Sequence, residues 1–99
     1  MKEVFLSTRD FPVDEKFGLV SQILRSAYSV PSNIAEGSGR STNKEFARFL
    51  DIALGSAFEL ETQLILASDI GYLSENKLQE IQTLLQEIQK MIYSFKMNL

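Results

Sequence analysis

The last quarter of the chain carries a row of large apolar residues separated by alternating steps of three and four. The row consists of Leu78, Ile81, Leu85, Ile88, Ile92 and Phe95. In an α-helix this spacing places all six side chains on one stripe, because a turn takes about 3.6 residues. Most of the intervening positions are polar. The pattern therefore predicts a helix over residues 75–96 with one buried face.

Two earlier segments show the same spacing. The first stripe comprises Phe17, Val20, Leu24, Ala27, Pro31 and Ile34, and the second comprises Phe46, Phe49, Ala53, Ala57, Leu60, Leu64 and Ala67. They predict helices over 14–36 and 43–69, and residues 2–9 suit a short helix that needs packing to persist. We therefore predict one all-α domain over residues 1–99, an antiparallel up-down four-helix bundle with a short first helix.

Pro31 lies inside the second helical pattern. It removes the hydrogen bond from its own nitrogen to the carbonyl of Ala27 and crowds that turn, which costs about 3 kcal/mol unless something compensates. The helix either kinks there or stops and restarts. Ile34 keeps the apolar phase, and Ser29, Ser32 and Asn33 can satisfy the freed carbonyls, so we predict a kinked continuation.

The boundaries of the helices carry recognisable signals. Asp14 suits the N-terminus of the second helix, and Gly37 fits a left-handed position that would end it. Thr42 and Glu45 match a capping box for the third helix. Gly71 is the natural stop of the third helix, and Ser74 caps the fourth.

The sequence lacks the residue types that several classes of enzyme and metal-binding protein normally use. The 99 residues contain no Cys and no His, so a disulfide framework, a thiolate metal site and the commonest general base are all missing. A Ser–Lys dyad with Lys44 is formally available, but nothing positions it. We expect no catalytic residue, no cofactor, no metal and no small-molecule substrate, and hence no enzyme.

The sequence shows no sign of a membrane segment. An uninterrupted apolar run of about 18 residues does not occur, and the apolar stretch near the N-terminus is too short for a signal peptide. We therefore expect a cytoplasmic protein.

Charge is unevenly distributed over the chain, whose net charge is −3. Residues 1–48 hold seven basic and six acidic residues, whereas residues 49–99 hold three basic and seven acidic ones. An acidic chain lacks the electrostatic footprint of a phosphate-backbone binder. The basic cluster worth naming for contact with nucleic acid or another anion is Arg25, Arg40, Lys44 and Arg48, and its alternative is a solvated face.

The connection over residues 37–42 resembles a phosphate-binding loop only superficially. A P-loop needs a preceding strand and a Lys after its last Gly, and this segment follows a helix. Its amides could hold an anion beside Arg40 and Lys44, but an ordinary helix connection with capping is the interpretation we favour.

Glu59 and Glu61 invite comparison with the di-metal sites of helical bundles. Those sites need Glu-x-x-His pairs, and residues two apart on a helix point in different directions. We therefore expect one of the two carboxylates to pair across the bundle with a basic or amide group, with Arg40 and Asn33 as the first candidates. The residues assigned a structural role are Ser29, Pro31, Ser32, Asn33, Glu36, Gly37, Glu59 and Glu61.

The second and third helices each carry a second apolar stripe beside the first. An isolated antiparallel bundle needs only one stripe per helix. The surplus predicts burial against other copies of the chain. The candidate interface residues are Leu19, Ile23, Leu50, Leu54 and Phe58.

Several segments of the sequence resemble a known family. The Phe11–Pro12 pair, residues 15–22 and residues 25–37 are similar to the four-helix-bundle proteins encoded in intervening sequences of bacterial 23S rRNA genes. Residues 46–50 and the Glu59-Leu-Glu61 triplet with Leu64 look similar as well. The likeness covers residues 2–96, and the Ser-Val-Pro-Ser-Asn-Ile-Ala-Glu-Gly run over residues 29–37 is its most specific part.

The resemblance implies an up-down bundle that assembles as a homopentamer. It also implies kinship with the accessory variability proteins of diversity-generating retroelements, which act with a reverse transcriptase and nucleic acid and have no catalysis of their own. Family members usually begin with a longer first helix, so this helix is expected to be the weakest part of the bundle. The leading hypothesis is a self-assembling binding module for RNA, DNA or a protein partner, and the alternative is a structural assembly with protein partners only.

Overall fold

Helices account for the regular structure in the described part of the chain. The computed structural model describes residues 1–15 and 17–99. Helix α1 spans Lys2–Thr8, α2 spans Leu19–Ser38, α3 spans Asn43–Asp69 and α4 spans Glu75–Met97, with a 3-10 turn at Val13–Glu15 between α1 and α2. The all-α prediction and the short first helix are confirmed. Among these helices, none is long and apolar enough to cross a membrane.

Consecutive helices run antiparallel, as contacts at the two ends of the bundle show. At one end the α1–α2 connection meets the α3–α4 connection. The rings of Phe11 and Tyr72 lie 5.6 Å apart there, and the Tyr72 hydroxyl donates to Glu15 Oε2 at 3.0 Å. Towards the other end, Lys96 near the end of α4 pairs with Asp51 near the start of α3 at 2.5 Å.

The helix ends follow the local sequence signals at three of the predicted positions. The Thr42 hydroxyl accepts a hydrogen bond from the amide of Glu45, and the Ser74 hydroxyl accepts one from the amide of Lys77, both at 3.1 Å. Gly71 follows α3 with a φ of +89°, the left-handed conformation that favours glycine. These signals act within one helical turn, so the packing of the bundle does not alter them.

The start of α2 differs from the prediction. Asp14 lies in the 3-10 turn rather than at a helix cap, and α2 begins at Leu19 after Gly18. Glu15, in the same turn, accepts a hydrogen bond from the Tyr72 hydroxyl. Phe17, predicted as the first residue of the buried stripe, precedes the observed helix and is 88% exposed. Lys16, which the predicted helix includes, lies outside the described residues.

Helix α2 continues through Pro31 and past Gly37 to Ser38. Its continuity through Pro31 agrees with the prediction. The role assigned to Gly37 is wrong, because this residue lies inside the helix and does not adopt a positive φ. A Cβ built on Gly37 would lie 2.6 Å from Phe49 Cβ and 2.9 Å from Phe46 Cδ1 on α3. Glycine is required there because α2 and α3 approach each other closely.

The core consists of two apolar clusters stacked along the bundle axis. The first lies near the α1–α2 and α3–α4 connections and includes Val4, Ile23, Leu60, Leu64 and Ile81. The second includes Val30, Leu50, Ala53, Ala57 and Ile92. Helix α1 contributes the buried Val4 to the first cluster, and only the half-buried Met1 also packs against the second. The second cluster is thus enclosed mainly by α2, α3 and α4.

Replacing Gly37 with alanine should therefore destabilise the protein, although alanine is the better helix former. The added methyl group meets Phe49 Cβ, which is attached directly to the backbone of α3 and cannot swing away. We expect a loss of about 1–3 kcal/mol in the free energy of unfolding, the usual range for overpacking. Chemical denaturation monitored by circular dichroism measures this loss.

The matched control for this experiment is Gly39→Ala. A Cβ on Gly39 lies 3.7 Å from its nearest neighbour, which is ordinary van der Waals contact. This variant should be as stable as the parent or slightly more stable. If both variants unfold like the parent, the close contact between α2 and α3 at Gly37 does not exist in solution.

Candidate functional site

The segment over residues 29–37 is a contact between α2 and α3. The hydroxyl groups of Ser29 and Ser56 lie 2.7 Å apart across the two helices. Asn33 Nδ2 donates to the Ser29 carbonyl at 2.8 Å and to Ser29 Oγ at 2.9 Å, one turn around Pro31. Ser32, by contrast, is exposed. Side chains of the segment therefore hold the helix pair together rather than forming a pocket for chemistry.

Glu59 connects α3 to α2 by a second polar contact. Its Oε1 accepts a hydrogen bond from the buried Ser26 hydroxyl at 2.9 Å and another from Gln63 Nε2 at 3.1 Å. The predicted partners of the two carboxylates, Arg40 and Asn33, are wrong. Arg40 lies beyond reach at the end of α2, and Asn33 is used locally at Ser29.

Glu61 is the centre of a polar layer between α3 and α4. Its Oε2 accepts from Gln82 Nε2 at 3.0 Å and from Gln86 Nε2 at 3.3 Å, and its Oε1 accepts from Gln89 Nε2 at 2.9 Å. Gln89 is itself buried. The prediction that one carboxylate pairs across the bundle with an amide group is confirmed, and the pairing involves three amides from one helix.

The hydrogen bonds to Glu61 outweigh the effect of its burial on its acidity. Partial burial raises the pKa of the Glu61 carboxyl, because it disfavours the charged form. The three amide donors stabilise the carboxylate, and together they hold the pKa below its ordinary value of 4.5. Glu61 therefore stays ionised at neutral pH and can accept all three bonds.

Arg40, just after the end of α2, contacts residues of both α2 and α3. Its guanidinium pairs with Glu36 at 2.6 Å and lies 4.8 Å from the centroid of the Phe49 ring. Both members of the ion pair are exposed, so the pair itself adds little to stability. Glu36, to which the sequence assigned a structural role, thus has Arg40 as its partner, and the guanidinium remains 41% exposed.

The structure divides the basic residues into two places. Arg40, Lys44 and Arg48 lie at the end of the bundle formed by the α2–α3 connection, and Lys44 and Arg48 share a face of α3 one turn apart. Arg25 lies on α2, 13 residues before the end of the helix at Ser38, so it is about 20 Å along the helix axis from the connection that carries Arg40. It cannot contact the same short stretch of ligand as the other three.

The predicted interface residues also divide into two groups. Ile23 and Leu50 are 0% and 2% exposed in the core of the single chain, so they cannot form an interface unless the bundle opens. Both had been assigned to a second apolar stripe, but at these two positions the stripe points into the core. Leu19 and Leu54 are half-buried, and Phe58 is exposed.

Two of the grooves on the surface of the described residues lie between pairs of helices and are lined mainly by apolar side chains. One, of about 530 Å³, lies between α1 and α2 and includes Phe5, Arg9, Leu24, Arg25 and Tyr28. The other, of about 460 Å³, lies between α3 and α4 and includes Leu54, Phe58 and Tyr93. Neither groove gathers groups that suit catalysis. Within residues 1–15 and 17–99, no group of three or more carboxylates is placed to hold a metal ion.

The sequence patterns did not predict the glutamine layer or the groove between α1 and α2. Gln82, Gln86 and Gln89 are among the polar positions between the apolar residues of α4, and their steps of four and three place them on one flank of the apolar stripe. That spacing beside a carboxylate on the preceding helix is a usable signal. The groove carried no such signal, because it depends on where α1 docks.

Replacing Glu61 with glutamine should weaken the contact between α3 and α4. A glutamine offers one acceptor oxygen, and its own amide would face the three donors, leaving at least one N–H unpaired. We expect a loss of roughly 1–2 kcal/mol at pH 7, because hydrogen bonds to a charged group are stronger than neutral ones but Glu61 is only partly buried. Glu87→Gln, on the exposed side of α4, is the matched control and should cost little.

The pH dependence of stability provides a second readout for Glu61. Because its pKa is lower in the folded protein, its contribution is present above its unfolded pKa and is lost as the pH falls through the folded pKa. The parent should lose stability on acidification below about pH 4.5 more steeply than Glu61→Gln does. Equal slopes for the two proteins would contradict the assigned role of the carboxylate.

Comparisons with known proteins agree with this architecture. A family model described as 23S rRNA-intervening sequence protein matches residues 1–94. No curated protein matches the sequence. Among solved structures, the chain is similar to a crystal structure from Bacteroides thetaiotaomicron VPI-5482, described as a protein with unknown function from the S23 ribosomal protein family. That similarity has a TM-score of 0.82 at 28% identity and covers 93% of this chain and 83% of the other.

The family match spans nearly the whole chain, including α1, the α2–α3 contact at Gly37 and the glutamine layer on α4. The fold of the solved relative is also the fold described above. The chain therefore belongs to the 23S rRNA-intervening sequence protein family.

Proposed function

We propose that this protein is a non-enzymatic, self-assembling four-helix bundle that acts in the cytoplasm as a binding module for nucleic acid or a protein partner. The observation that carries this proposal is the amount of apolar surface left uncovered by a single chain. Among the described residues, fifteen hydrophobic residues are buried, whereas sixteen large hydrophobic side chains are at least 38% exposed.

Exposed apolar side chains of this size favour association. Phe58, Met91, Tyr93 and Phe95 are each more than half exposed, and they extend over α3 and α4. Burying such a side chain contributes about 1.5–3 kcal/mol, so several per subunit can outweigh the entropy lost on association. The apolar surface supports self-assembly, and the resemblance to the family supplies the homopentamer as the expected form.

Light scattering coupled to size-exclusion chromatography tests the assembly. At micromolar concentration we expect a mass about five times the 11.2 kDa of the chain. The variant Phe58→Asp should shift the mass downward, because it places a charge on exposed apolar surface and leaves the core of the single chain intact. A monomeric parent would contradict self-assembly, whereas a dimer or tetramer would contradict only the number five.

The cationic end of the bundle is the candidate contact for nucleic acid. Arg40, Lys44 and Arg48 are exposed around the α2–α3 connection, and a closed ring would repeat them once per subunit. Repetition makes a weak contact strong by raising the effective concentration of binding groups. The acidic second half of the chain, with a pI of about 4.9 for the whole, favours instead the alternative of protein partners only.

Salt-dependent binding of a fluorescent single-stranded RNA separates these two possibilities. If nucleic acid is bound, replacing both Lys44 and Arg48 with alanine should weaken binding and lower the slope of log affinity against log salt by about 0.7 for each lost phosphate contact. Replacing Lys77 and Lys90 with alanine is the charge-matched control and should change the slope less. No salt-dependent binding by the parent would favour the protein-only assembly.

A further inference from the structure

The groove between α1 and α2 combines apolar side chains with basic ones. Phe5 and Tyr28 are 45% and 52% exposed, and Leu24 lies between the helices with them. The charged residues that line the groove in the described part of the chain are Arg9 and Arg25, both basic and both exposed. The groove is therefore a positively charged apolar surface on a protein whose net charge is −3.

The outer face of α3 has the opposite character. We use this name for the exposed side of α3 over residues 51–70, which points away from the core. Its apolar residues are each between 38% and 52% exposed, and they are Ile52, Phe58, Ile65, Leu66 and Ile70. Its exposed charged residues are Asp51, Glu59 and Asp69, and the sequence contains no basic residue between Arg48 and Lys77. Asp51 is paired with Lys96 of α4, so three acidic residues and one basic partner leave this face with a net charge of −2.

We propose that the outer face of α3 of one copy docks in the α1–α2 groove of a second copy. Both surfaces are apolar, and the net charge around the apolar residues is positive on one and negative on the other. A single contact of this kind covers both exposed surfaces, and its geometry is that of an amphipathic helix lying in a groove. This inference rests on the self-assembly proposed above and identifies the two surfaces that carry it.

The two surfaces cannot meet within one subunit. Helix α3 packs against α2 and α4, and its exposed residues face away from both cores. The contact therefore joins different patches on the two copies, which makes it heterologous. A heterologous contact generates a ring when its rotation closes, and a ring leaves no free groove and no free face.

Nucleic acid is the other occupant that an aromatic and basic groove could take, through stacking of bases on the exposed rings. A second copy is favoured for two reasons. The exposed apolar residues on the outer face of α3 also need a partner that buries them, and the net negative charge of that face would repel a nucleic acid. Only the protein–protein contact uses the complementary charge of both surfaces.

Charge reversal tests the contact, with the mass in solution as the readout. The groove variant carries Ser21→Glu and Arg25→Glu, and the face variant carries Thr62→Lys and Asp69→Lys. All four positions are exposed, and the charge of the chain changes by three in opposite directions. We expect each variant to fall from the parental mass to the monomer, and a chain with all four substitutions to assemble again, because the two surfaces are once more complementary.

A control variant with Ser41→Glu and Lys44→Glu changes the charge by the same amount at the α2–α3 connection and should keep the parental mass. Circular dichroism of every variant should show the helix content of the parent. If the parent itself is monomeric, the proposed self-assembly fails and this contact fails with it. If the parent assembles but either the groove or the face variant keeps its mass, only the present inference is overturned.

Two other outcomes would also overturn it. The chain with all four substitutions could remain monomeric, which would mean that the two reversed surfaces do not face each other. Alternatively, the groove variant could keep the parental mass but lose salt-dependent binding of a single-stranded RNA probe that the parent binds. Nucleic acid would then be the occupant of the groove.

Discussion

The close packing of α2 against α3 is the contact on which the rest of the bundle depends. Ala53 and Ala57 on α3 are fully buried, and Gly37 on α2 leaves no room for even a methyl group beside Phe49. Small residues at these positions bring the two backbones close enough for Ser29 to reach Ser56 and for Ser26 to reach Glu59. Helix α3 also packs against α4. A change in the distance between α2 and α3 would therefore alter the positions of three of the four helices.

Polar contacts on the two flanks of α3 fix its position relative to its neighbours. Glu59 accepts a hydrogen bond from α2, and Glu61 accepts hydrogen bonds from α4. Two carboxylates only two residues apart therefore bind the helices on opposite sides of α3. Two helices that meet only through apolar stripes can slide slightly along each other, because apolar contacts are not directional and one leucine can take the place of another. A carboxylate that accepts three amide donors at defined positions does not allow this sliding, and the layer around Glu61 therefore specifies the register of α4 on α3.

The four helices bury the two core clusters unequally, and this difference bears on how the chain associates with other chains. Helix α1 is short and lies over the first cluster, whereas the second cluster is enclosed mainly by three helices. A groove of about 170 Å³ there reaches Leu50 and Ile92 between Ile34, Phe46, Met91 and Phe95. A domain of this size buries only a modest share of its surface, so uncovered apolar residues at several places favour contacts with other chains.

The sequence by itself determined the helices and most of their ends. The boundaries of α3 and the caps at Thr42, Gly71 and Ser74 follow from hydrogen bonds and backbone preferences that act within one turn. The apolar spacing likewise identified Leu60, Leu64, Ile81 and Leu85 as core. The family resemblance was carried by a run of residues that the structure places at the α2–α3 contact.

Only the tertiary structure decided what lies opposite each residue. It buried Ile23 and Leu50, exposed Phe17, gave Glu61 three glutamine partners, and separated Arg25 from Arg40 by much of the length of α2. It also showed that glycine is needed at position 37 because α3 lies too close for a side chain, and not because the backbone has a positive φ. Periodicity shows which residues share a face of a helix, but the direction in which that face points depends on how the helices pack.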